Sequence, residues 1–270
     1  MYDDPNVERT VGFRVKSLIR YFYEKKYYSS ADAIISVSDP IVNSIRRRHK
    51  RLNLESKTHT ITNGFDGEDF ENIQLDNKGR KSLEITYTGS FMGKQTPEHF
   101  LEAINLLIEK KAIDASDLLI RFIGYFDKQI HTIFQRFMPK IPIEILDFQP
   151  YEKSLWYQVN SDLLLLIVSI EGREGGSQTM TGKFFEYIGA KKPIIALVPD
   201  GPLKEIIEKG CFGVVAQPKN INEIAIKFKN LYDEWKINGA LSCNPDMKLR
   251  DSFTRERLTG KLVSIIDNLI

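Results

Sequence analysis

The chain has 270 residues, of which 42% are hydrophobic and 27% are charged, and its formal net charge is +2. This length and composition are ordinary for a globular protein with one large or two small domains. The near balance of charge argues against a protein that neutralises nucleic acid, because such proteins carry a clear excess of basic residues.

The cysteines, histidines and apolar runs limit the expected compartment, metal binding and membrane insertion. Cys211 and Cys243 have neither a CxxC nor a metal-like spacing, and the four histidines show no ligand spacing. Two isolated cysteines fit a reducing compartment better than a disulfide scaffold. The longest apolar run, Leu163 to Val168, is far shorter than the ~20 residues that cross a bilayer, and no signal pattern is seen. We therefore expect a cytoplasmic protein without a metal site.

The first predicted element is an amphipathic helix over Val11 to Tyr28, where aromatic and aliphatic residues alternate with basic ones at helical spacing. Two roles stay open for it: packing on a neighbouring domain, or peripheral contact with anionic lipid at the inner membrane face.

A strand at Ala33 to Val37 is predicted next, followed by a helix that Ser38 or Asp39 caps, with Pro40 at its first position. This helix runs towards the basic segment 46–51. One interpretation of these cations is structural, because positive charge suits the negative end of the helix dipole. The alternative interpretation is that they contact acidic phospholipid or a lipid diphosphate acceptor.

Beyond the Asn63-Gly64 turn, strands and helices alternate. The predicted strands are 84–88, 118–123, 143–147, 163–168, 194–198 and 213–216, and the predicted helices are 96–110, 128–138, 152–159, 181–190, 202–209 and 221–235. This alternation predicts the α/β class, with a Rossmann-like doubly wound parallel sheet. Ligands of such sheets bind at the carboxyl ends of the strands, so loops 89–95 and 169–181 are expected to face each other across a switch point.

The second of these loops leads into the most informative segment of the chain. Gly175–Ser177 is predicted to form a pliant loop, and the predicted helix after it would offer unpaired N–H groups and a positive dipole end to an anion. Lys183 adds a full charge. Glu186 lies one turn further on, where its carboxylate can accept two ribose hydroxyls. An ordinary αβ unit with solvated charges accounts equally well for these residues alone.

The first loop carries a similar set of groups. Gly89 allows the backbone to approach a phosphate, Ser90 offers a hydroxyl, and Lys94 brings a cation. A solvated loop lysine is the alternative interpretation of Lys94.

Four blocks carry a resemblance to a known family. They are Ala-Asp-Ala-Ile-Ile-Ser-Val-Ser at 31–38, Ile-Thr-Asn-Gly-Phe-Asp at 61–66 with Phe70, Tyr-Thr-Gly-Ser-Phe-Met-Gly-Lys at 87–94 with 100–104, and 182–195. Their order and spacing resemble the donor-binding half of a family 4-like retaining glycosyltransferase with the GT-B fold. The first block looks like the last strand of the family's first domain, and the second like its interdomain crossover.

The resemblance implies retaining transfer of a sugar from a nucleoside diphosphate sugar to an acceptor, with no cofactor and no required metal. Lys94 and Lys183 would be catalytic, because cations and N–H dipoles in a dry cleft stabilise the departing diphosphate. The nucleotide sugar would contact Gly89, Ser90, Gln149, Tyr151, Gly176, Ser177, Gln178, Thr181, Gly182 and Glu186. The base would lie against the segment 148–151.

The chain departs from the family pattern at one position in the first loop. Many relatives carry arginine where this chain has Ser90, which weakens the predicted clamp on the leaving group. Lys94, Lys183 and Arg173 are the cations that would share this charge.

A second departure concerns the family's paired glutamates. Glu186 matches the second of them, and counting back places Gln178 at the first position. Glu171 and Glu174 are the alternatives near the same place, so the sugar that the site selects stays open.

The resemblance divides the chain into three parts. Residues 1–63 would be a remnant of the acceptor-side domain with the crossover, 64–250 the nucleotide-sugar-binding Rossmann-like domain, and 251–270 a C-terminal helix that returns to the acceptor side. Most of the acceptor half is then absent, so we expect a missing N-terminal domain or an oligomer. Whether the chain is active alone stays open.

The implied partners are a nucleotide sugar and a glycan or lipid-linked acceptor, and the implied process is cell-surface polysaccharide or glycolipid synthesis. Two alternatives stay open: a sugar-nucleotide epimerase of the same fold, and a nucleotide-sugar-binding module without activity. A dinucleotide-binding oxidoreductase is disfavoured because no G-x-G-x-x-G motif follows a predicted strand. A P-loop NTPase is disfavoured because the sequence lacks the motif G-x-x-x-x-G-K-[ST].

Overall fold

The computed structural model describes residues 11–76, 81–91, 93–169 and 180–270. Its N-terminal part comprises α1 (Val11–Ser30), β1 (Ile34–Ser36), α2 (Asp39–Arg48) and β2 (Thr58–Thr60), and the two strands pair in parallel. The two predicted helices and the strand between them are confirmed, with Ser38 at the N-cap of α2 and a proline in its first turn. The strand β2 was not predicted.

The main sheet contains six strands of the described chain. They are β3 (Leu83–Thr88), β4 (Leu118–Ile123), β5 (Ile143–Leu146), β6 (Leu163–Ile167), β7 (Ile194–Leu197) and β8 (Gly213–Ala216). Their order is β5-β4-β3-β6-β7-β8, and every neighbouring pair is parallel. This is the strand order of Rossmann folds, in which the chain direction across the sheet reverses between the first and fourth strands, here β3 and β6. The predicted doubly wound parallel sheet is confirmed.

Helices connect these strands and cover both faces of the sheet. They are α3 (Glu98–Glu109), α4 (Lys128–Phe137), α5 (Tyr151–Val159), α6 (Gly182–Gly189), α7 (Pro202–Lys209) and α8 (Ile221–Asn238). Each predicted boundary agrees to within three residues. The largest difference is the end of α8, where Gly239 adopts a φ of +72° and terminates the helix.

Two apolar cores lie on opposite faces of the sheet, and β6 contributes to both because successive side chains of a strand point in opposite directions. Leu163 and Leu165 pack in the cluster that includes Phe100 of α3. Leu164 packs in the cluster that includes Phe185 of α6. A strand buried on both faces explains the continuous apolar run in the sequence.

A terminal helix lies within the predicted range 251–270, as expected, but it begins later and ends earlier than predicted. The chain forms α9 (Met247–Asp251), breaks, and resumes as α10 (Arg255–Asp267). The break has a physical cause: Thr254 caps α10 by accepting a hydrogen bond from the Arg257 amide, and Phe253 is buried in the core below the turn. The Phe253 carbonyl also accepts a hydrogen bond from the Phe65 amide at 3.2 Å, which ties this segment to the predicted crossover.

Within the described ranges, no helix combines the length and the apolar character that a membrane span needs. Exposed large apolar side chains occur on α1 and along the second half of α10; they include Leu18, Phe22, Tyr23, Tyr27, Val263 and Ile266.

Candidate functional site

A cavity of about 340 Å³ opens at the carboxyl edge of the main sheet, beside the reversal point between β3 and β6. Ligands of open α/β sheets bind at this position, because the loops on either side of the reversal separate there and leave a crevice. The lining residues are Thr88, Gly89, Ile123, Gly124, Phe148, Gln149, Tyr151, Ser154, Thr181, Lys183 and Glu186.

Two glycines form one wall of this cavity, and both have a positive φ. The backbone turns at Gly89, with a φ of +103°, and its amide donates a hydrogen bond to the Ile123 carbonyl at 2.7 Å. At Gly124, with a φ of +152°, a β-carbon would lie 2.5 Å from the carbonyl oxygen of Gly89. Neither position accommodates a larger residue without strain, so the wall consists of backbone that a ligand can approach closely.

Replacing Gly124 by alanine is expected to lower the free energy of unfolding by about 2–3 kcal/mol, because the new methyl group meets backbone and the φ is unfavourable. Chemical denaturation of the variant measures this loss. The matched control is Gly67→Ala, where φ is −65° and no atom lies within 4 Å of the added carbon. Equal stability of the two variants would contradict the described packing.

The opposite wall is the beginning of α6. Thr181 occupies the N-cap and lines the cavity, and its side chain makes no capping hydrogen bond. The first N–H groups of a helix have no partner within the helix, so this end of α6 can offer donors to a ligand. At the other end, the buried Arg250 donates to the carbonyls of Ile188 at 2.9 Å and Gly189 at 3.1 Å. A cation at the carboxyl end suits the helix dipole and fixes α6 in place.

Lys183 brings its ammonium group between the two walls. The Nζ atom lies 3.6 Å from the centroid of the Tyr87 ring, and a β-carbon on Gly89 would lie 3.1 Å from it. Burial lowers the pKa of Lys183 to about 7, and the attraction of Glu186 opposes this only in part. Near neutral pH this lysine is therefore divided between its charged and neutral forms, and an entering anion would favour the charged form.

Glu186 lies on the same face of α6, one turn further on. Burial raises the pKa of its carboxyl group, while the hydrogen bond from Gln158 and the charges of Lys183 and Arg255 lower it. The Gln158 amide donates to Oε2 at 3.3 Å. A carboxylate at this place in the cavity is an acceptor for hydroxyl groups of a ligand.

A buried polar network connects this carboxylate to the end of β3. The Gln158 side chain also donates to the Thr88 hydroxyl at 3.2 Å, and the Thr88 amide donates to the Tyr187 hydroxyl at 3.0 Å. Gln158 and Tyr187 are completely buried. Buried polar groups of this kind rigidify their surroundings because each is costly to leave unpaired.

The third side of the cavity is the segment between β5 and α5. Phe148 is 79% exposed although it lines the cavity, which makes its ring available to a flat ligand group. The Tyr151 hydroxyl donates to Asp69 at 2.8 Å, and Asp69 belongs to the short helix Glu68–Phe70 after the predicted crossover. Burial, followed by this bond, raises the pKa of Tyr151, which therefore stays protonated.

The structure brings together six of the predicted site residues: Gly89, Gln149, Tyr151, Thr181, Lys183 and Glu186. Ser90, Lys94 and Gly182 are described but do not line the cavity, and the Lys94 side chain is exposed. Gly176, Ser177 and Gln178 lie outside the described residues, as do Glu171, Arg173 and Glu174. The roles assigned to all of these residues stay predictions.

The predicted set lacked several residues that build the site. Thr88, Gly124 and Ser154 line the cavity, and Gln158 and Asp69 bond to residues that do. The sequence did contain an indication for Gly124, since a glycine directly after a buried strand is typical of a place where backbone or ligand approaches the chain closely at the ligand edge of such sheets. No sequence pattern indicated a role for Gln158, because a single polar residue inside a helix is expected to face solvent until the tertiary packing is known.

No family model matches this chain, and no curated protein matches it in sequence. Solved structures match its fold. HepE from Anabaena, crystallised with UDP and glucose, is 14% identical with a TM-score of 0.68, over 93% of this chain and 67% of that one. A glycosyltransferase from Rickettsia africae is 16% identical with a TM-score of 0.66, over 92% and 67%. Sucrose-phosphate synthase from Thermosynechococcus elongatus is 16% identical with a TM-score of 0.65, over 93% and 62%.

These likenesses, together with the strand order and the position of the cavity, show that the chain has the fold of the donor-binding half of GT-B glycosyltransferases. The predicted fold is confirmed. The chain spans 62% to 67% of the three chains named above and 46% of TarM from Staphylococcus aureus. Family 4 membership and the predicted domain boundaries stay predictions.

Proposed function

We propose that this chain is the donor half of a glycosyltransferase that transfers a sugar, with retention, from a nucleoside diphosphate sugar to an acceptor. One observation carries the proposal: a desolvated lysine, a helix N-terminus and a carboxylate converge on one cavity at the reversal point of a Rossmann-like sheet. The lysine and the helix N-terminus can bind a diphosphate, and the carboxylate can accept the hydroxyl groups of a ribose. The UDP found in the HepE crystals is of the same ligand class.

In the proposed complex, the diphosphate lies between the Gly89 turn and the start of α6. Lys183 takes up a proton and faces the phosphate oxygens, where negative charge grows as the bond to the sugar breaks. Fixed N–H dipoles and a cation in a desolvated cavity stabilise this charge without reorganising. Glu186 accepts the ribose hydroxyls, and the base lies along the segment 148–151, where the exposed Phe148 ring offers a stacking surface.

The acceptor side of the reaction rests on the family resemblance. We infer a glycan or lipid-linked acceptor, and a role in cell-surface polysaccharide or glycolipid synthesis at the inner membrane face. The first 63 residues and the C-terminal helix would belong to the acceptor side, and a further domain or a second copy would complete it. Analysis of the released product separates transfer from epimerisation of the sugar and from binding without turnover.

The binding part of the proposal is tested with UDP, GDP, ADP and dTDP. One of these nucleotides is expected to raise the melting temperature, since saturation at 100 times the dissociation constant adds ~2.7 kcal/mol to the free energy of unfolding. Replacing Glu186 by glutamine is expected to reduce the shift, because an amide accepts fewer hydroxyl hydrogen bonds than a carboxylate.

The control for this substitution is Glu208→Gln, an exposed position on α7 away from the cavity, which is expected to retain the full shift. If none of the four nucleotides protects the wild-type chain, the proposed function is rejected. If protection survives unchanged in Glu186→Gln, the ribose role of Glu186 is rejected while nucleotide binding stands.

A further inference from the structure

Gln158 stands behind the cavity rather than in its lining. It lies on α5 with none of its surface exposed, and both hydrogens of its amide nitrogen point to residues that do line the cavity. The Nε2 atom lies 3.3 Å from Glu186 Oε2 and 3.2 Å from Thr88 Oγ1. One side chain thus connects α5, α6 and the end of β3 at the point where the ligand would enter.

The other half of this amide is unusual. The Oε1 atom of Gln158 is buried and has no hydrogen-bond partner among the described residues. A buried acceptor without a donor costs about 1–3 kcal/mol. Turning the amide over would not remove the cost, because the oxygen would then face the Glu186 carboxylate and both donors would lose their acceptors. A glutamine at this position therefore carries a cost in stability that an apolar residue would not. What it provides, and an apolar residue would not, is a hydrogen bond to Glu186.

We propose that Gln158 is a positioning residue, which holds the Glu186 carboxylate in the orientation that accepts ligand hydroxyls and links it to Thr88 at the end of β3. This inference rests on the proposed nucleotide-sugar function. It assigns Gln158 no contact with the ligand: the residue acts through Glu186.

The first test replaces Gln158 by methionine, which has a similar length and no donor. Binding of UDP, or of whichever diphosphate in the panel protects the wild type, is expected to weaken about tenfold, the value of one hydrogen bond to a charged group. The melting temperature is expected to change little, because removal of the unpaired Oε1 atom offsets the loss of the donor to Glu186 and Thr88. A purely structural glutamine would instead lower the melting temperature and leave the affinity of the folded protein unchanged.

The second test needs no nucleotide. The carboxyl carbon of Glu186, observed by NMR in the free protein, reports the titration of that group. The Gln158 hydrogen bond lowers the pKa of Glu186, so Gln158→Met is expected to raise it. Three charged groups also act on Glu186: Lys183 on the same helix, Arg255 on α10 and Asp69 after the crossover. The substitution leaves all three in place.

A third variant, Gln158→Glu, gives a pH signature. Two neighbouring carboxylates repel each other, so nucleotide binding is expected to be weak at about pH 8 and to recover relative to the wild type at about pH 5, where a shared proton restores the donor. Unchanged affinity in Gln158→Met, or an unshifted Glu186 titration, would overturn the positioning role while leaving nucleotide binding intact. Absence of any nucleotide binding by the wild type would instead reject the proposed function, and the ligand role inferred for Gln158 with it.

Discussion

Replacing Lys183 by methionine is expected to weaken nucleoside diphosphate binding about 100-fold. The ammonium group lies in a desolvated position between the Gly89 turn and the Tyr87 ring, where a charge-assisted bond to phosphate is stronger than at an exposed site. Methionine fills the same space with a side chain of similar length and removes the charge alone. Calorimetric titration of the two proteins with the same nucleotide measures the difference.

The same substitution is expected to stabilise the free protein by about 1–2 kcal/mol, since burial of an ionisable group at a functional site is paid for in stability. The sign follows from the pKa of Lys183, which is about 7 when folded and near 10.5 when unfolded. Between these values the unfolded chain binds more protons, so the stability of the wild type rises with pH. The advantage of Lys183→Met is therefore largest below about pH 7 and vanishes towards pH 10.

Lys209→Met is the matched control, because Lys209 is exposed in the last turn of α7. It is expected to change neither the affinity nor the pH dependence of stability. A Lys183→Met protein that binds the nucleotide as the wild type does would show that the diphosphate lies elsewhere.

The fold was predictable because its strongest local signals agree with the tertiary structure. The apolar run at Leu163 to Val168 is typical of a strand buried on both faces. The described sheet places this strand at the centre, between β3 and β7. Lys183 and Glu186 were predictable as a pair because residues three apart share one face of any helix. In both cases neighbouring residues in the sequence determine the result.

The rest of the site depends on contacts between residues that are distant in the sequence. Gln158 meets Glu186 across 28 positions, and Tyr151 meets Asp69 across 82. No local pattern reports such a meeting. The start of the terminal helix was predicted too early for the same reason, since Phe253 lies before α10 in a core formed with Phe65.

Lys94 shows a further limit of sequence reasoning. It lies in the predicted loop and carries the predicted charge, yet its side chain is exposed and outside the cavity lining. Spacing along the chain assigns a residue to a loop but does not fix the direction of its side chain. Lys183 differs because the helical geometry of α6 and the packing of Tyr87 determine where its ammonium group lies.

Binding of a nucleoside diphosphate is expected to be coupled to proton uptake, and to weaken about tenfold for each pH unit above 7. In the free protein, burial lowers the pKa of Lys183 to about 7. A diphosphate that faces the ammonium group raises this pKa again, because an opposite charge favours the protonated form. Above pH 7 the free lysine is mostly neutral, so each binding event takes up close to one proton and becomes less favourable as protons become scarce.

Titration calorimetry in two buffers with different ionisation enthalpies measures the uptake directly. The terminal phosphate is itself mostly ionised above about pH 7, since the last pKa of a phosphate lies near 6, and its contribution falls further as the pH rises. Uptake should disappear in Lys183→Met and persist in Glu186→Gln, where the lysine is intact and the carboxylate is neutralised. Equal proton uptake by the wild type and Lys183→Met would mean that another group titrates on binding, and the assignment of Lys183 to the diphosphate would be wrong. If the affinity for the diphosphate changes tenfold per pH unit in the wild type and does not in Lys183→Met, the pH dependence of binding results from the burial of this one side chain.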